Sequence, residues 1–151
     1  MEAGRADFVQ RQQKKIDEIN ALGDCFDQYS YLLYRAGQMP PMDAAYKTDA
    51  YRVKGCQSVV WLDLKVCDGV MVMQADSETL LMKGVLAVLA DVVNGASPQE
   101  ICANAITIFD ETELAVTFES DRLSGLRSIL RRIRQAAQEA AGSGVPAKPD
   151  A

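Results

Sequence analysis

A tight-turn signal lies between two apolar stretches in the middle of the chain, and it constrains the fold more than any other feature. Asp68-Gly69 is a two-residue sequence typical of the turn of a β-hairpin. If it closes such a hairpin, Cys67 faces Val70, and the same register pairs an apolar set on one face: Val66 with Met71, Leu64 with Met73, and Leu62 with Ala75. A one-residue slip would turn this set to the other face, so the register is self-consistent. The sequence therefore predicts an antiparallel hairpin within residues 52–75.

Helical periodicity dominates the rest of the chain. The predicted helices cover residues 6–22, 24–36 and 79–94, a short stretch that begins at Pro98, and a last stretch from Ser120 or Asp121 to about residue 138. Asp76 and Ser77 precede the third helix and are interpreted as its caps. Because that helix is apolar on nearly every side, we expect it at the centre of the domain.

Separate blocks of helix and strand predict the α+β class. We expect a single domain over residues 1–138, in which helices cover a small antiparallel sheet of about three strands. Residues 139–151, with the sequence EAAGSGVPAKPDA, are expected to form a disordered tail.

Composition and charge disfavour several classes of function. The net charge of −5 argues against bulk nucleic-acid binding. The chain has no histidine, which removes Ser-His and Cys-His mechanisms and histidine metal ligands. No stretch approaches the roughly 20 apolar residues of a membrane span, and the first residues lack the apolar segment of a signal peptide. We therefore expect a cytoplasmic protein without a membrane partner.

Cys56 is the cysteine whose surroundings suit a reactive thiol. Gly55 allows backbone angles that are closed to other residues, so the chain can turn sharply and present the next side chain. Arg52 and Lys54 are the nearest charges in sequence, and positive charge is expected to favour the thiolate and lower the pKa of the thiol. The alternative interpretation is a buried or idle loop cysteine.

The other three cysteines do not form a cluster with Cys56. Cys67 lies eleven residues further along a predicted strand, which at about 3.3 Å per residue is up to about 36 Å away. Cys25 and Cys102 occupy apolar positions of predicted helices and are interpreted as structural. No two cysteines have CxxC or CxxxC spacing, which argues against a compact zinc site. We expect no bound metal and no cofactor.

The segment around Cys56 resembles a family signature. Residues 53–62, VKGCQSVVWL, resemble the V-x-G-C-Q-S-x-V-W-L sequence of SufE-type sulfur acceptor proteins. Weaker matches occur in the family's order over residues 16–134: Tyr29 with Leu32 and Leu33, Asp68-Gly69, Ala75-Asp76-Ser77, Asn94-Gly95, and Arg122-Leu123-Ser124-Gly125-Leu126. The G-C-Q-S step is specific for this family. The other matches are individually weak, but their order and spacing agree with the family's.

The resemblance implies a function and a fold. SufE-type proteins have the α+β fold of iron–sulfur scaffold proteins (SufE/IscU-like) and partner a cysteine desulfurase that depends on pyridoxal phosphate, of the SufS or CsdA type. They accept its persulfide sulfur on a cysteine, stimulate the desulfurase and pass the sulfur on for iron–sulfur cluster assembly. An accessory protein without a cofactor of its own is implied, rather than a stand-alone enzyme.

The resemblance also implies residue roles. Cys56 would be the persulfide acceptor on a loop that includes Gly55, Gln57 and Ser58, and its thiol would be shielded in the free protein. For Arg122, which matches the family's arginine near the last helix, support of this loop or contact with the desulfurase is implied, and the alternative is a solvated arginine. Arg52 and Lys54 are candidates for the same two roles, support of the loop or contact with the desulfurase.

Two other functions stay open at this stage. A scaffold that assembles an iron–sulfur cluster itself would need several converging cysteines, and a regulator would activate the desulfurase without carrying sulfur. The sequence names neither the desulfurase nor the downstream acceptor, and we expect a monomer because no long exposed apolar stripe is evident.

Overall fold

The computed structural model describes residues 7–143. Within this range it contains five α-helices and two β-strands: α1 (Phe8–Asn20), α2 (Cys25–Gln38), β1 (Val60–Cys67), β2 (Val70–Ser77), α3 (Leu80–Val93), α4 (Pro98–Ala103) and α5 (Ser120–Ser143). Two short 3₁₀ turns, Ala44–Tyr46 and Asp49–Tyr51, lie between α2 and β1. The predicted α+β class is confirmed.

The hairpin has the register that the sequence predicts. Cys67 pairs with Val70, and the apolar pairs follow as expected: Val66 with Met71, Leu64 with Met73, and Leu62 with Ala75. Asp68 and Gly69 both have positive φ, 54° and 82°, as the twisted two-residue turn of a hairpin requires. Leu62, Met71, Met73 and Ala75 are buried, so one face of the hairpin belongs to the core.

A third strand does not form within the described residues, and the predicted count of about three is corrected to two. Within residues 7–143, the chain before β1 pairs with it in β-sheet fashion at one isolated bridge, between Arg52 and Trp61. The N–H of Val53 donates to the carbonyl of Val60 at 2.9 Å, and beyond that bond the chain leaves the sheet. Gly55, with φ of 88°, bends the chain into the loop that joins Val53 to Val60. On the other side of the bridge, residues 49–51 form a 3₁₀ turn, so the pairing cannot continue to Tyr51 and Leu62.

Helix α3 lies at the centre of the molecule, as predicted, and ten of its 14 residues are buried. Helix α2 packs across it so closely that a Cβ added at Gly84 would lie 2.2 Å from the carbonyl oxygen of Leu32. At the rim of this contact, Arg35 of α2 forms an ion pair with Asp91 of α3, and Lys15 of α1 joins at 3.6 Å. These contacts fix the three helices behind the hairpin.

Helix α5 extends beyond residue 138, the predicted end of the domain, so residues 139–143 are helical rather than disordered. The remainder of the predicted tail, residues 144–151, lies outside the described residues, as do residues 1–6. Among the helices of residues 7–143, none combines the length and apolar character that crossing a membrane requires.

Candidate functional site

The residues between the bridge and β1 form a loop, which we call the Cys56 loop (residues 54–59). Its two ends are held together by the bond from Val53 to Val60, so the loop projects from the end of the hairpin. Cys56 lies near its middle and is half-buried, while its neighbours Gly55 and Gln57 are exposed. The sequence therefore places the cysteine on a tightly closed loop, as the Gly-Cys-Gln-Ser step predicts.

The Cys56 loop lies along helix α5 in the opposite direction to the helix. The Cys56 thiol donates to the carbonyl of Gly125 with an Sγ–O distance of 3.4 Å. One residue earlier, a Cβ at Gly55 would lie 2.6 Å from Oγ of the buried Ser128. Further back, Nη1 of Arg132 donates to the carbonyl of Arg52 at 3.4 Å. Positions further back along the segment thus lie against later turns of α5.

Gly125 forms the surface on which the thiol rests, and we call this surface the seat of the thiol. It is buried, and a Cβ added there would lie 3.2 Å from Sγ of Cys56 and 3.7 Å from its Cα. Since Sγ lies that close, any side chain at this position would push against the thiol. The close approach of loop and helix explains a glycine within α5, where glycine otherwise costs helix stability.

Ser77 anchors the other end of the Cys56 loop. Its hydroxyl donates to the carbonyl of Val59 at 2.7 Å, and the N–H of Glu78 donates to the same carbonyl at 3.2 Å. Asp76 and Ser77 are the last two residues of β2, and the N-cap of α3 is Thr79 rather than either of them. Ser77 Oγ also accepts from the N–H of Thr79. The sequence analysis missed this anchor because the contact joins residues 18 positions apart.

An open cleft of about 310 Å³ adjoins the loop. Its lining combines loop residues with the first turns of α3 and α5: Gln57, Ser58, Val59, Glu78, Thr79, Met82, Asp121, Arg122 and Gly125. Arg122 is half-buried and faces this cleft together with Gln57 and Ser58. The structure therefore brings the predicted arginine to the loop, and a partner's side chain entering the cleft would reach the edge of the thiol's seat.

Burial, rather than positive charge, sets the direction in which the pKa of the Cys56 thiol is shifted. Burial raises the pKa of Cys56 above its ordinary value, and the positive charge of Arg52 opposes this only in part. The prediction of a lowered pKa is therefore wrong for the free protein. Lys54, the other expected charge, is exposed and adds no resolved effect on the thiol. At neutral pH the thiol is protonated and donates its hydrogen bond to Gly125.

The other cysteines lie apart from this loop. Cys67 is exposed beside the hairpin turn, whereas Cys25 and Cys102 are half-buried on α2 and α4. All four are free thiols. Within residues 7–143, His, Cys, Asp and Glu side chains do not converge in a group of three or more that could hold a metal ion.

The fold and the site together define an α+β domain that presents a single half-buried thiol on a closed loop. A solved structure with this fold is the solution structure of a hypothetical protein from Thermus thermophilus, which covers 87% of this chain and 96% of its own with a TM-score of 0.73. At 19% sequence identity this likeness concerns the fold alone. The SufE family model, described as an Fe-S metabolism associated domain, matches residues 13–137, and the chain belongs to the SufE family.

Relatives in the family extend over most of the chain. An uncharacterized SufE-like protein of Rhizobium etli is 29% identical over 143 residues, which are 91% of this chain and 97% of the relative. The sulfur acceptor protein CsdE of Escherichia coli K12 is 31% identical over 115 residues, which are 75% of this chain and 78% of CsdE. The family resemblance read from the sequence is confirmed.

Proposed function

We propose that this protein accepts sulfur on Cys56 from the persulfide of a cysteine desulfurase, stimulates that enzyme, and passes the sulfur on for iron–sulfur cluster assembly. The observation that carries the proposal is the seat of the Cys56 thiol, on a loop closed at both ends and beside an open cleft. Membership of the SufE family and similarity to a protein named as a sulfur acceptor support it.

The transfer is an exchange of one S–S bond for another and resembles thiol–disulfide exchange. The Cys56 thiolate attacks the outer sulfur of the donor's cysteine persulfide, a new bond forms between the two sulfurs, and the donor's S–S bond breaks. The donor cysteine leaves as a thiolate and takes up a proton. Cys56 then carries the persulfide, and the step needs no external oxidant, reductant, metal or histidine.

The seat of the thiol suits storage better than attack. A protonated thiol that donates to Gly125 is a poor nucleophile, because the thiolate is the attacking species. Docking of the donor must therefore draw Cys56 out of its seat and return the pKa towards its ordinary value. Gly55 provides the backbone freedom for this movement, and the same seat would shield the persulfide from water and stray thiols after transfer.

The proposal is tested with a purified SufS- or CsdA-type cysteine desulfurase and L-cysteine. Intact-protein mass spectrometry should show a species one sulfur atom heavier, and desulfurase turnover should rise when the protein is added. Cys56→Ser should abolish both effects. Cys67→Ser is the matched control, since Cys67 is the exposed thiol of the chain, and it should retain both.

Two results would contradict the proposal. Added sulfur on the Cys56→Ser variant would place the acceptor elsewhere. Turnover that rises equally with Cys56→Ser, while no protein gains sulfur, would make the chain a regulator that carries no sulfur.

A further inference from the structure

Positive charge is concentrated along the contact between the Cys56 loop and α5, although the chain as a whole is acidic and the adjoining cleft also holds Glu78 and Asp121. Residues 50–62 and 122–138 contain seven Lys and Arg residues and no Asp or Glu. All 21 carboxylates and the other nine cations of the chain lie outside these two segments. The two segments are neighbours in space, because the Cys56 loop lies along α5. The fold therefore converts two separate basic stretches into one surface.

We call this surface the basic face and define it by Arg52, Lys54, Arg127, Arg131 and Arg132. All are exposed except Arg132, which is half-buried. Elsewhere in residues 7–143, cations such as Lys47 and Lys83 form ion pairs with carboxylates, in this case with Asp76. The five residues of the basic face form no such pair within this range, and their positive potential is therefore directed to solvent.

The basic face also borders the loop that carries the thiol. Nη2 of Arg131 donates to Oγ of Ser128, the residue beneath Gly55, at 3.3 Å, and Arg132 donates to the carbonyl of Arg52. A partner held by these arginines would thus contact the loop itself. Opposite charges accelerate the encounter of two proteins and fix their relative orientation. This arrangement would therefore bring an acidic partner to the thiol in one defined orientation.

We propose that the basic face docks an acidic surface of the sulfur-donor protein, next to the donor's persulfide. This inference rests on the proposed function and adds the chemistry of recognition to it. A nucleic acid is the less favoured occupant, since the net charge of −5 opposes approach to phosphates.

The experiment uses a desulfurase that transfers sulfur to this protein. It measures the dissociation constant of the complex between the two proteins at about 50 mM and about 500 mM salt. Lys54→Glu and Arg127→Glu are tested because both side chains are exposed. Each should weaken binding about five-fold at low salt, and the effect should shrink at high salt. Lys14→Glu is the matched control, since it makes the same charge change at an exposed position of α1 and should leave the constant unchanged. Thermal unfolding followed by circular dichroism checks that each variant is folded.

The outcomes separate this inference from the proposed function. If wild-type protein gains no sulfur, the proposed function fails. If it gains sulfur, but neither variant weakens binding more than Lys14→Glu, or binding is insensitive to salt, the docking inference alone is overturned. Equal affinity for a DNA duplex of about 20 base pairs, lost in the same variants, would also overturn it.

Discussion

Replacing Gly125 by alanine should loosen the seat of the Cys56 thiol without unfolding the protein. An alanine in place of glycine within a helix stabilises it by roughly 0.5–1 kcal/mol. The new Cβ would lie 3.2 Å from Sγ, which is closer than ordinary contact, so the thiol must move by a few tenths of an ångström. Since the propensity gain offsets the displacement, we expect the free energy of unfolding to stay within about 1 kcal/mol of the wild type.

The displaced thiol should be more reactive. The displacement lessens burial, the cause that raises the pKa of Cys56, while Arg52 continues to favour the thiolate. Each pKa unit corresponds to about ten-fold more thiolate at a pH below the pKa, so we expect alkylation of Cys56 at neutral pH to accelerate by about two-fold to ten-fold. The assay is alkylation with iodoacetamide, followed residue by residue with peptide mass spectrometry.

Gly142→Ala is the matched control for this prediction. Gly142 belongs to the same helix, and within residues 7–143 an added Cβ would meet no atom within 4 Å apart from its chain neighbours and the backbone of its own helix, so it tests helix propensity. Its alkylation rate at Cys56 should equal that of the wild type. An unchanged rate in Gly125→Ala, or a loss of stability above about 2 kcal/mol, would refute the idea that the Cys56 loop is a movable element resting on α5.

Two further predictions concern the frame that holds the site. Gly84→Ala should destabilise the protein by about 2–3 kcal/mol in urea unfolding, because its Cβ would force α3 away from the Leu32 carbonyl of α2; an unchanged midpoint would contradict this packing. Burial raises the pKa of Asp76, but bonds from Lys47 and the Ser77 N–H, with the charge of Lys83, outweigh it and leave the pKa lowered. The stabilisation by Asp76 is therefore present at neutral pH, and it is lost as the pH falls below about 3.9, the unfolded pKa, and through the lower pKa of the folded state. The difference in free energy of unfolding between wild type and Asp76→Asn should therefore close over this pH range. A difference that stays constant with pH would argue against the ion pairs.

Local signals account for the parts of the fold that the sequence predicted well. The hairpin register follows from a two-residue turn and alternating apolar residues, all of which lie within β1, β2 and the turn between them. The central position of α3 follows from a helix with almost no polar side. A third strand does not form within residues 7–143 because the pairing of Arg52 with Trp61 stops at the 3₁₀ turn Asp49–Tyr51, and sequence pattern does not reveal how far a pairing continues.

Long-range contacts explain what the sequence could not predict at the site. Arg52 and Lys54 suggested an activated thiol, but the pKa of Cys56 is set chiefly by burial against a helix whose contact residue, Gly125, is 69 positions away. The anchor Ser77 and the close approach of Ser128 to Gly55 were missed for the same reason. Neither residue type nor spacing marks a serine as the partner of a distant loop.

The central claim is tested most directly by locating the transferred sulfur. After incubation with the desulfurase and L-cysteine, free thiols and persulfides are alkylated, and the protein is digested with trypsin. Cleavage after Lys54 and Lys65 yields the peptide of residues 55–65, in which Cys56 is the sole cysteine, while Cys67 falls in residues 66–83. We predict that the additional sulfur is found on residues 55–65. Sulfur on residues 66–83, or on neither peptide while the desulfurase is accelerated, would contradict the account.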